Sequence, residues 1–228
     1  VKGLLTASDL EGNPGGVFRR LLKELESLGY KTYWKVLNAA DYGVPQFRER
    51  LFIVATFGRD FRFPDPTHGT SIFTPKPYVT VGEALRGLGE PGASDIPNHV
   101  DITPLGDRRR IKGVPEGSWL AKATHLPAEQ RGRLQRKDTT KFRRLSRSQP
   151  SITLRCGEIF FHPTEDRYLT PREYMRLHGF PDEYVLCGPI RGRSGQVKNL
   201  DQHRQVANSV PPPLARAVAT AIREAILD

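Results

Sequence analysis

The stretch from Asp41 to Ala55 constrains the fold of this chain more than any other segment, because it joins a turn directly to a strand. Gly43 and Pro45 mark the turn. The run Leu51–Ala55 is apolar throughout and predicts a strand that is buried on both faces. Whatever lies around this segment must therefore cover it on two sides.

Three polar side chains lie just before this strand. Side chains alternate between the two faces of a strand, so Gln46, Arg48 and Arg50 are predicted to project from one side of it. Arginine carries a planar fork of N–H donors and stays charged at any working pH, which suits it to gripping and polarising a carbonyl oxygen. The pattern alone is also compatible with a solvated strand mouth, and it leaves both interpretations open.

The segments on the amino-terminal side predict one helix and one further strand. Residues Gly16–Leu28 have a helical pattern that ends at Gly29. The apolar face of that helix is predicted to comprise Val17, Leu21, Leu22, Leu25 and Leu28. Residues Tyr30–Leu37 predict a strand, and its close spacing to the next strand permits an antiparallel pair. The order of these elements is typical of the end of an α/β sheet.

Beyond Gly58 a proline-rich connector leads to a second region. Residues Val79–Leu88 predict a short helix capped by Thr80 and Glu83. The region from Glu90 to Cys156 is rich in Gly, Pro and basic residues, and it predicts a small, loop-dominated, mostly β domain.

Regular structure is predicted again near the carboxyl terminus. Residues Pro150–Leu154 predict a strand. Residues Pro171–His178 predict a helix, which Thr170 and Glu173 open with a capping box. Residues Leu214–Leu227 predict a final helix. Its expected apolar positions are Leu214, Val218, Ile222 and Ile226.

The net charge of +10 is concentrated in one segment of the chain. Residues 108–147 contain thirteen Lys or Arg and three acids, an excess of ten that equals the imbalance of the whole chain. Such a segment favours a polyanion such as a nucleic-acid backbone, although a solvated basic loop remains the alternative. The candidate contacts are Arg108, Arg109, Arg110, Arg131, Arg133, Arg136, Lys137, Lys141, Arg143, Arg144 and Arg147.

Other classes of protein are disfavoured by composition. The cysteines Cys156 and Cys187 form no Cys-x-x-Cys pair, which argues against a structural zinc site. No apolar stretch approaches membrane-spanning length and no signal-peptide pattern opens the sequence, so a soluble, cytoplasmic protein is expected. His162, His178 and His203 stand alone, as packed or surface histidines usually do.

Three motifs, in this order, resemble those of the DNA (cytosine-5) methyltransferases. Residues Pro45–Arg50 are similar to the family's Gln-x-Arg-x-Arg motif. Residues Arg167–Arg176, followed by Phe180 and Pro181, resemble its Arg-x-Leu-Thr-x-Arg-Glu motif. The segment Asn208–Pro212 resembles its last motif, although Ala207 replaces the more familiar glycine.

The resemblance implies an α/β fold made from the C-terminal part of a Rossmann-like catalytic domain and a small, loop-rich, mostly β target recognition domain. Residues 1–88 would form part of the catalytic domain and residues 89–199 the target recognition domain. Residues 200–228 would return to the catalytic domain.

The resemblance also implies a reaction and roles for individual residues. In this family a cytosine is flipped out of double-stranded DNA, a cysteine thiolate adds to C6, and C5 takes a methyl group from S-adenosylmethionine. Arg50 would donate to cytosine O2, while Arg48 and Gln46 would brace the pocket. The cofactor-side residues would be Asn208, Ser209 and Val210.

The remaining motif is expected to organise the target recognition domain more than to contact DNA. Its residues are Arg167, Thr170, Arg172 and Glu173.

The family's amino-terminal motifs are absent from the sequence. No Phe-x-Gly-x-Gly loop is present, and neither cysteine follows a proline. The chain is therefore expected to be one subunit of a split methyltransferase or a fragment of a longer one, and to need an N-terminal half for activity. A non-catalytic DNA-binding or regulatory module is the alternative from another class, and RNA is a third and weaker option as substrate.

Overall fold

The computed structural model describes residues 2–92, 96–129, 142–190 and 200–227. Its helices are α1 (Lys2–Thr6), α2 (Gly16–Ser27), α3 (Val81–Leu85), α4 (Leu105–Ile111), α5 (Pro171–Leu177), α6 (Gln202–Asn208) and α7 (Pro212–Leu227). Its strands are β1 (Lys31–Asn38), β2 (Glu49–Thr56), β3 (Arg143–Arg144) and β4 (Phe160–Phe161). Short 3₁₀ turns cover Ala39–Tyr42 and Leu120–Lys122.

The two predicted strands form an antiparallel hairpin. Strands β1 and β2 pair along their whole length, from Lys31 opposite Thr56 to Asn38 opposite Glu49. The prediction that Leu51–Ala55 is buried on both faces is wrong in this structure, since only Val54 of that run is buried and the others are half-buried. Within the described residues β2 belongs to a sheet of two strands, and the side chains on its faces are only partly covered.

Helix α2 packs on the hairpin through a face that only partly matches the predicted one. The ring of Phe18 is buried and meets Trp34 of β1 edge-to-face, with ring centroids 5.1 Å apart. Val17, Leu21 and Leu28 of the predicted face are instead exposed. Leu22 and Leu25 of the predicted face are half-buried, so the packed face is shifted towards Phe18.

Helix α7 covers the other side of the 3₁₀ turn and the hairpin. The helix begins at Pro212, two residues before the predicted start, because proline is well suited to a first helical turn. Ile226 is exposed, so the predicted apolar face ends before the last turn of the helix. The buried cluster beneath α7 comprises Leu37, Ala39, Tyr42, Val44, Leu214 and Val218.

Two capping boxes form as predicted. Thr170 Oγ1 accepts from the Glu173 N–H at 3.2 Å, and the Thr170 N–H donates to Glu173 Oε2 at 2.7 Å, so α5 starts at Pro171. Thr80 and Glu83 form the same arrangement at α3. Helix α3 is shorter than the predicted Val79–Leu88 helix.

The second region is loop-rich, as predicted, and its described residues contain less β structure than expected. Strands β3 and β4 form a two-residue parallel pair. The strand predicted at Pro150–Leu154 is reduced to an isolated bridge between Ser151 and Gln46. The backbone of Ser151 bonds to Pro45 O and to the Phe47 N–H, and no ladder longer than this forms among the described residues.

Two buried clusters support the second region. The larger one comprises Val81, Leu145, Leu154, Phe160, Leu169, Tyr174, Met175, Leu177, Leu186 and Val206. The other one comprises Ile111, Val114, Leu120, Ala123, Phe161 and Tyr168. Among the described helices, none has the length and apolar character needed to cross a bilayer.

Candidate functional site

The two residues that precede β2 in the Gln-x-Arg motif are fully buried. Gln46 Oε1 accepts from the backbone N–H of Leu154 at 3.2 Å. Its Nε2 donates to Leu177 O at 3.1 Å and lies 3.2 Å from His178 Nδ1. Gln46 therefore joins the turn before β2 to the segment before β4 and to the end of α5.

Arg48 joins the same turn to the segment between α6 and α7. Its Nη1 donates to Leu154 O at 3.1 Å, and its Nη2 donates to Ala207 O and, at 3.2 Å, to Ser209 O. Asn38 Oδ1 accepts a hydrogen bond from the backbone N–H of Arg48 at 2.9 Å, which fixes the backbone at this position. Arg48 is held by carbonyl oxygens, and no carboxylate of the described residues forms an ion pair with it.

Arg50 is half-buried at the start of β2. Its Nη1 donates to the backbone oxygen of Glu49 at 2.7 Å, which leaves the other guanidinium nitrogens without a protein partner among the described residues. Burial lowers the pKa of Arg50. Burial, together with the neighbouring charge of Arg50, lowers the pKa of Arg48 to about 10. Both side chains stay charged at neutral pH, so two cations converge here without an acid between them.

His178, at the end of α5, is the residue of this site that the sequence did not single out. Its side chain is fully buried, with Nδ1 facing Gln46 and Nε2 3.1 Å from Ser209 O. Burial, followed by the charge of Arg48, lowers the pKa of His178 to about 3. The imidazole is therefore neutral at neutral pH. Nothing in the spacing of His178 signals this role, because both of its partners are distant in sequence.

The predicted cofactor-side residues lie at the end of α6 and just beyond it. The backbone oxygen of Ser209 is held by Arg48 and His178, and its hydroxyl donates to Val206 O at 2.8 Å. Asn208 and Val210, on either side, are exposed. The structure thus brings Arg48 into contact with Ser209 and connects Gln46 to it through His178, and Arg50 follows them at the start of β2.

A large cleft of about 1160 Å³ lies elsewhere, between α7 and the loops that carry Phe63 and Phe180. Neither Arg50 nor Asn208 lines it. That cleft is therefore separate from the site built around Arg48.

The predicted nucleic-acid contacts fall into three groups. Five of them, Arg131, Arg133, Arg136, Lys137 and Lys141, lie outside the described residues. Four others form ion pairs, which are Arg108 with Asp101, Arg110 with Asp107, Arg144 with Asp166 and Arg147 with Glu116. Arg109 is exposed on α4, and Arg143 lies over the ring of Trp119 at 5.6 Å and donates to Gly117 O.

Arg144 does not face solvent, contrary to the expectation that it contacts a nucleic acid. Its side chain is 5% exposed. The guanidinium donates to the backbone oxygens of Ile111, His162 and Glu165 and to the carboxylate of Asp166. Arg144 therefore ties β3 to its surroundings and is not accessible to a phosphate in this structure.

The motif that opens α5 is buried and structural in its contacts. Arg167 forms a two-pronged ion pair with Glu173, with N–O distances of 2.7 and 2.8 Å. Burial alone would lower the pKa of Arg167, but its bonds to Glu173 and Glu165 raise that pKa above the ordinary value. Arg172 is fully buried and donates to the backbone oxygens of three residues, Pro97, Pro181 and Tyr184.

Comparison with known proteins identifies relatives along almost the whole chain. The family model described as C-5 cytosine-specific DNA methylase matches residues 1–224. The type II methyltransferase M.NgoFVII of Neisseria gonorrhoeae is 33% identical over 222 residues, which cover 93% of this chain and 54% of that protein. M1.HphI of Haemophilus parahaemolyticus is 33% identical over 217 residues, which cover 92% of this chain and 52% of that protein. The chain spans about half the length of these curated relatives.

Solved structures support the same fold. A prophage-encoded protein of E. coli, named as a DNA modification methyltransferase, superposes with a TM-score of 0.62 at 20% identity, covering 93% of this chain and 65% of that one. The Dnmt2 methyltransferase of S. pombe gives a TM-score of 0.52 at 12% identity, covering 93% and 63%. The fold is therefore the α/β fold of these enzymes, as the sequence motifs implied.

Proposed function

The chain belongs to the C-5 cytosine-specific DNA methylase family, and we propose that it is part of a DNA cytosine-5 methyltransferase. The reaction is the transfer of a methyl group from S-adenosylmethionine to C5 of a cytosine flipped out of a specific DNA sequence. The chain supplies target recognition and part of the base pocket.

This proposal rests mainly on the proximity of Arg48 and Arg50, which have no acidic partner among the described residues. Two guanidinium groups with no neutralising carboxylate among the described residues create a positive site at the start of β2. During addition of a thiolate to C6, negative charge spreads over the pyrimidine ring, and a fixed cation stabilises that charge best in a site from which water is excluded. Arg50 has free donors and we assign it to cytosine O2.

Gln46 and Arg48 have a supporting role in this proposal. The Gln46 carboxamide and the two terminal nitrogens of Arg48 bond to Leu154, Leu177, Ala207 and Ser209. Arg48 Nε is buried without a partner among the described residues, and both side chains are too buried to contact a base. They fix the turn from which Arg50 projects. We therefore expect them to position Arg50 and the Ser209 segment.

The residues from the end of α6 to Val210 fit the edge of an S-adenosylmethionine site. The carboxamide of Asn208 is exposed and has no hydrogen-bond partner among the described residues, and Val210 presents an exposed apolar side chain beside it. A polar group with free donors next to an apolar side chain suits a ligand with both kinds of surface. The bound cofactor would supply the methyl group. On this chain Asn208, Ser209 and Val210 would hold one side of it.

We further propose that catalysis requires an N-terminal half that carries the nucleophile and the cofactor loop. Neither Cys156 nor Cys187 follows a proline, and the curated relatives are about twice as long as the matched region. A split enzyme and a fragment of a longer chain both agree with this proposal.

The surface of the hairpin supports that proposal. A two-stranded sheet is marginally stable in water, and the apolar run of β2 is only half-buried. Trp34 and Phe57 expose 49% and 75% of their surface on the same hairpin. Exposed apolar surface of this kind favours an interface, and we assign it to the N-terminal half.

The first expected result concerns activity with and without that half. We expect no methyl transfer from S-adenosylmethionine to DNA by this chain alone, and transfer after addition of an N-terminal half from a 33% identical relative or from the adjoining reading frame. Incorporation of labelled methyl groups into duplex DNA measures this. Transfer by the chain alone would contradict the proposal.

A second expected result concerns the basic region. Replacing Arg109, which is exposed, and Arg143, which is half-buried over Trp119, by alanine should weaken DNA binding and flatten its dependence on salt. The expected change is about one unit of log–log slope for each phosphate that is no longer neutralised. Binding isotherms at several salt concentrations measure this. Arg20→Ala is the matched control, because Arg20 is an exposed arginine of α2 that lies outside the basic region. If Arg20→Ala weakens DNA binding as much per arginine as the other two changes do, then net charge alone explains the loss of binding.

A DNA-binding or regulatory module without chemistry is the second candidate, favoured by the basic excess in residues 108–147. Both candidates predict binding that depends on those residues. They differ in the role of Arg50.

A further inference from the structure

We propose that His178 is a positioning residue that locks the base side of the site to its cofactor side. The proposal rests on the function proposed above, because the two sides are the Gln46–Arg50 segment and the Asn208–Val210 segment. The imidazole lies between them and bonds to both.

The hydrogen bonds fix a single form of the imidazole. The backbone N–H of Leu154 can only donate, so Gln46 Oε1 is the acceptor and Gln46 Nε2 is the donor. His178 Nδ1, 3.2 Å from that donor, must then accept, and the proton must be on Nε2. Nε2 donates to Ser209 O at 3.1 Å. A protonated imidazole would place an N–H against the Gln46 amide, so only the neutral ring fits.

These bonds close a ring that includes the guanidinium of Arg48. Starting from Leu154, the ring passes through Gln46, His178 and Ser209 to Arg48, which returns to Leu154 O at 3.1 Å. Ser209 O is thus held by two donors from different elements, and its position relative to the start of β2 is fixed from two sides. Arg50 follows Arg48 by two residues, and Asn208 directly precedes Ser209 in the chain.

Loss of the imidazole should loosen this alignment without unfolding the chain. Gln46 Nε2 keeps its bond to Leu177 O, and Ser209 O keeps its bond from Arg48. No buried amide or carbonyl of the ring is left without any partner. The predicted loss is therefore in the relative placement of the two segments, where a displacement of about 1 Å can cost about 100-fold in rate.

Glutamine and leucine at position 178 separate the hydrogen bonds from the packing. In a carboxamide, as in an imidazole, one carbon separates the acceptor from the donor, so His178→Gln can accept from Gln46 and donate to Ser209. His178→Leu fills similar space and makes neither bond. His99→Leu is the matched control, because His99 is also buried and bonded through both nitrogens, to Thr170 Oγ1 and Gly89 O, but lies outside the ring.

The experiment measures steady-state methyl transfer by the enzyme reconstituted with its N-terminal half. We expect His178→Leu to lower kcat by about tenfold or more with the KM for DNA changed by less than about threefold, and His178→Gln to recover most of kcat. His99→Leu should keep the wild-type kcat at a temperature where it is folded. A wild-type kcat for His178→Leu, no recovery by His178→Gln, or an equal loss in His99→Leu would overturn the proposal.

A measurement on the chain alone separates this inference from the proposed function. Nitrogen-15 spectra of the His178 ring should show the Nε2–H tautomer alone, and no titration between about pH 5 and pH 8, the range in which an unperturbed imidazole changes charge. A mixture of tautomers or a titration in that range would overturn the bridging role even if the enzyme is active. If the reconstituted wild-type protein transfers no methyl group, the proposed function and the catalytic effect of His178 both fail, whereas the ring spectrum still decides the bridge.

Discussion

Arg50→Ala should abolish most methyl transfer by the reconstituted enzyme while leaving DNA binding nearly intact. Arg50 is the half-buried cation of the site and has donors free to meet a base. Removal of a donor that acts on charge developing in the transition state typically lowers kcat by about 10²–10³-fold. Single-turnover methyl transfer and DNA binding at the same salt concentration measure the two quantities separately.

Arg59→Ala is the control for this experiment. Arg59 follows the same strand, is exposed, and makes one long bond of 3.4 Å to Ala225 O. Its replacement removes an equal charge outside the site, so kcat should stay within about twofold of wild type.

The outcome of Arg50→Ala also decides between the two classes of function. A binding module without chemistry shows no turnover to lose, and its affinity for DNA is the only quantity that can change. An active reconstituted enzyme in which Arg50→Ala turns over normally would contradict the role assigned to Arg50 while leaving the family membership intact. Transfer to RNA in preference to duplex DNA would replace the proposed substrate.

Local features of the fold were predictable from the sequence, because the groups that form them are close together in the chain. The capping box of Thr170 and Glu173 depends on residues three apart, and the structure forms it as predicted. The hairpin follows from two β-prone runs with a short connection. Helices α2 and α7 were predictable for the same reason, since the sequence of each has its own helical pattern.

Long-range features were not predictable in the same way. The alternation that placed Gln46 and Arg48 on one side of a strand was informative, but their partners lie at positions 154, 177 and 207–209. No local pattern shows that these carbonyls converge. The involvement of His178 and the burial of Arg144 were missed for the same reason. A count of basic residues also cannot distinguish an exposed cation from one that holds the fold.

Loss of the ion pair between Arg167 and Glu173 should destabilise the fold more than any surface change. The two side chains are 3% and 2% exposed, and Arg167→Ala leaves the Glu173 carboxylate buried without its main partner. Breaking a buried pair in this way typically costs about 3–5 kcal/mol. Urea unfolding of the isolated chain at about pH 8, where carboxylates are fully ionised, measures the change. Arg20→Ala, which removes the surface ion pair with Glu24 between side chains that are 74% and 60% exposed, should cost less than about 1 kcal/mol.

The loss of unfolding free energy caused by Arg167→Ala should also become smaller as the pH is lowered, because of His162. Its Nε2 lies 3.7 Å from Glu173 Oε1, and burial lowers the pKa of His162 while Glu173 raises it and Arg167 lowers it. Removing Arg167 therefore raises the pKa of His162 in the folded variant. A lowered histidine pKa destabilises the fold at low pH, and this cost is smaller in the variant because one cause of the lowering is gone. The difference in unfolding free energy between Arg167→Ala and wild type should thus be smaller at about pH 5.5 than at about pH 8, on either side of the ordinary histidine pKa. An equal difference at both values would show that His162 does not take over from the lost guanidinium.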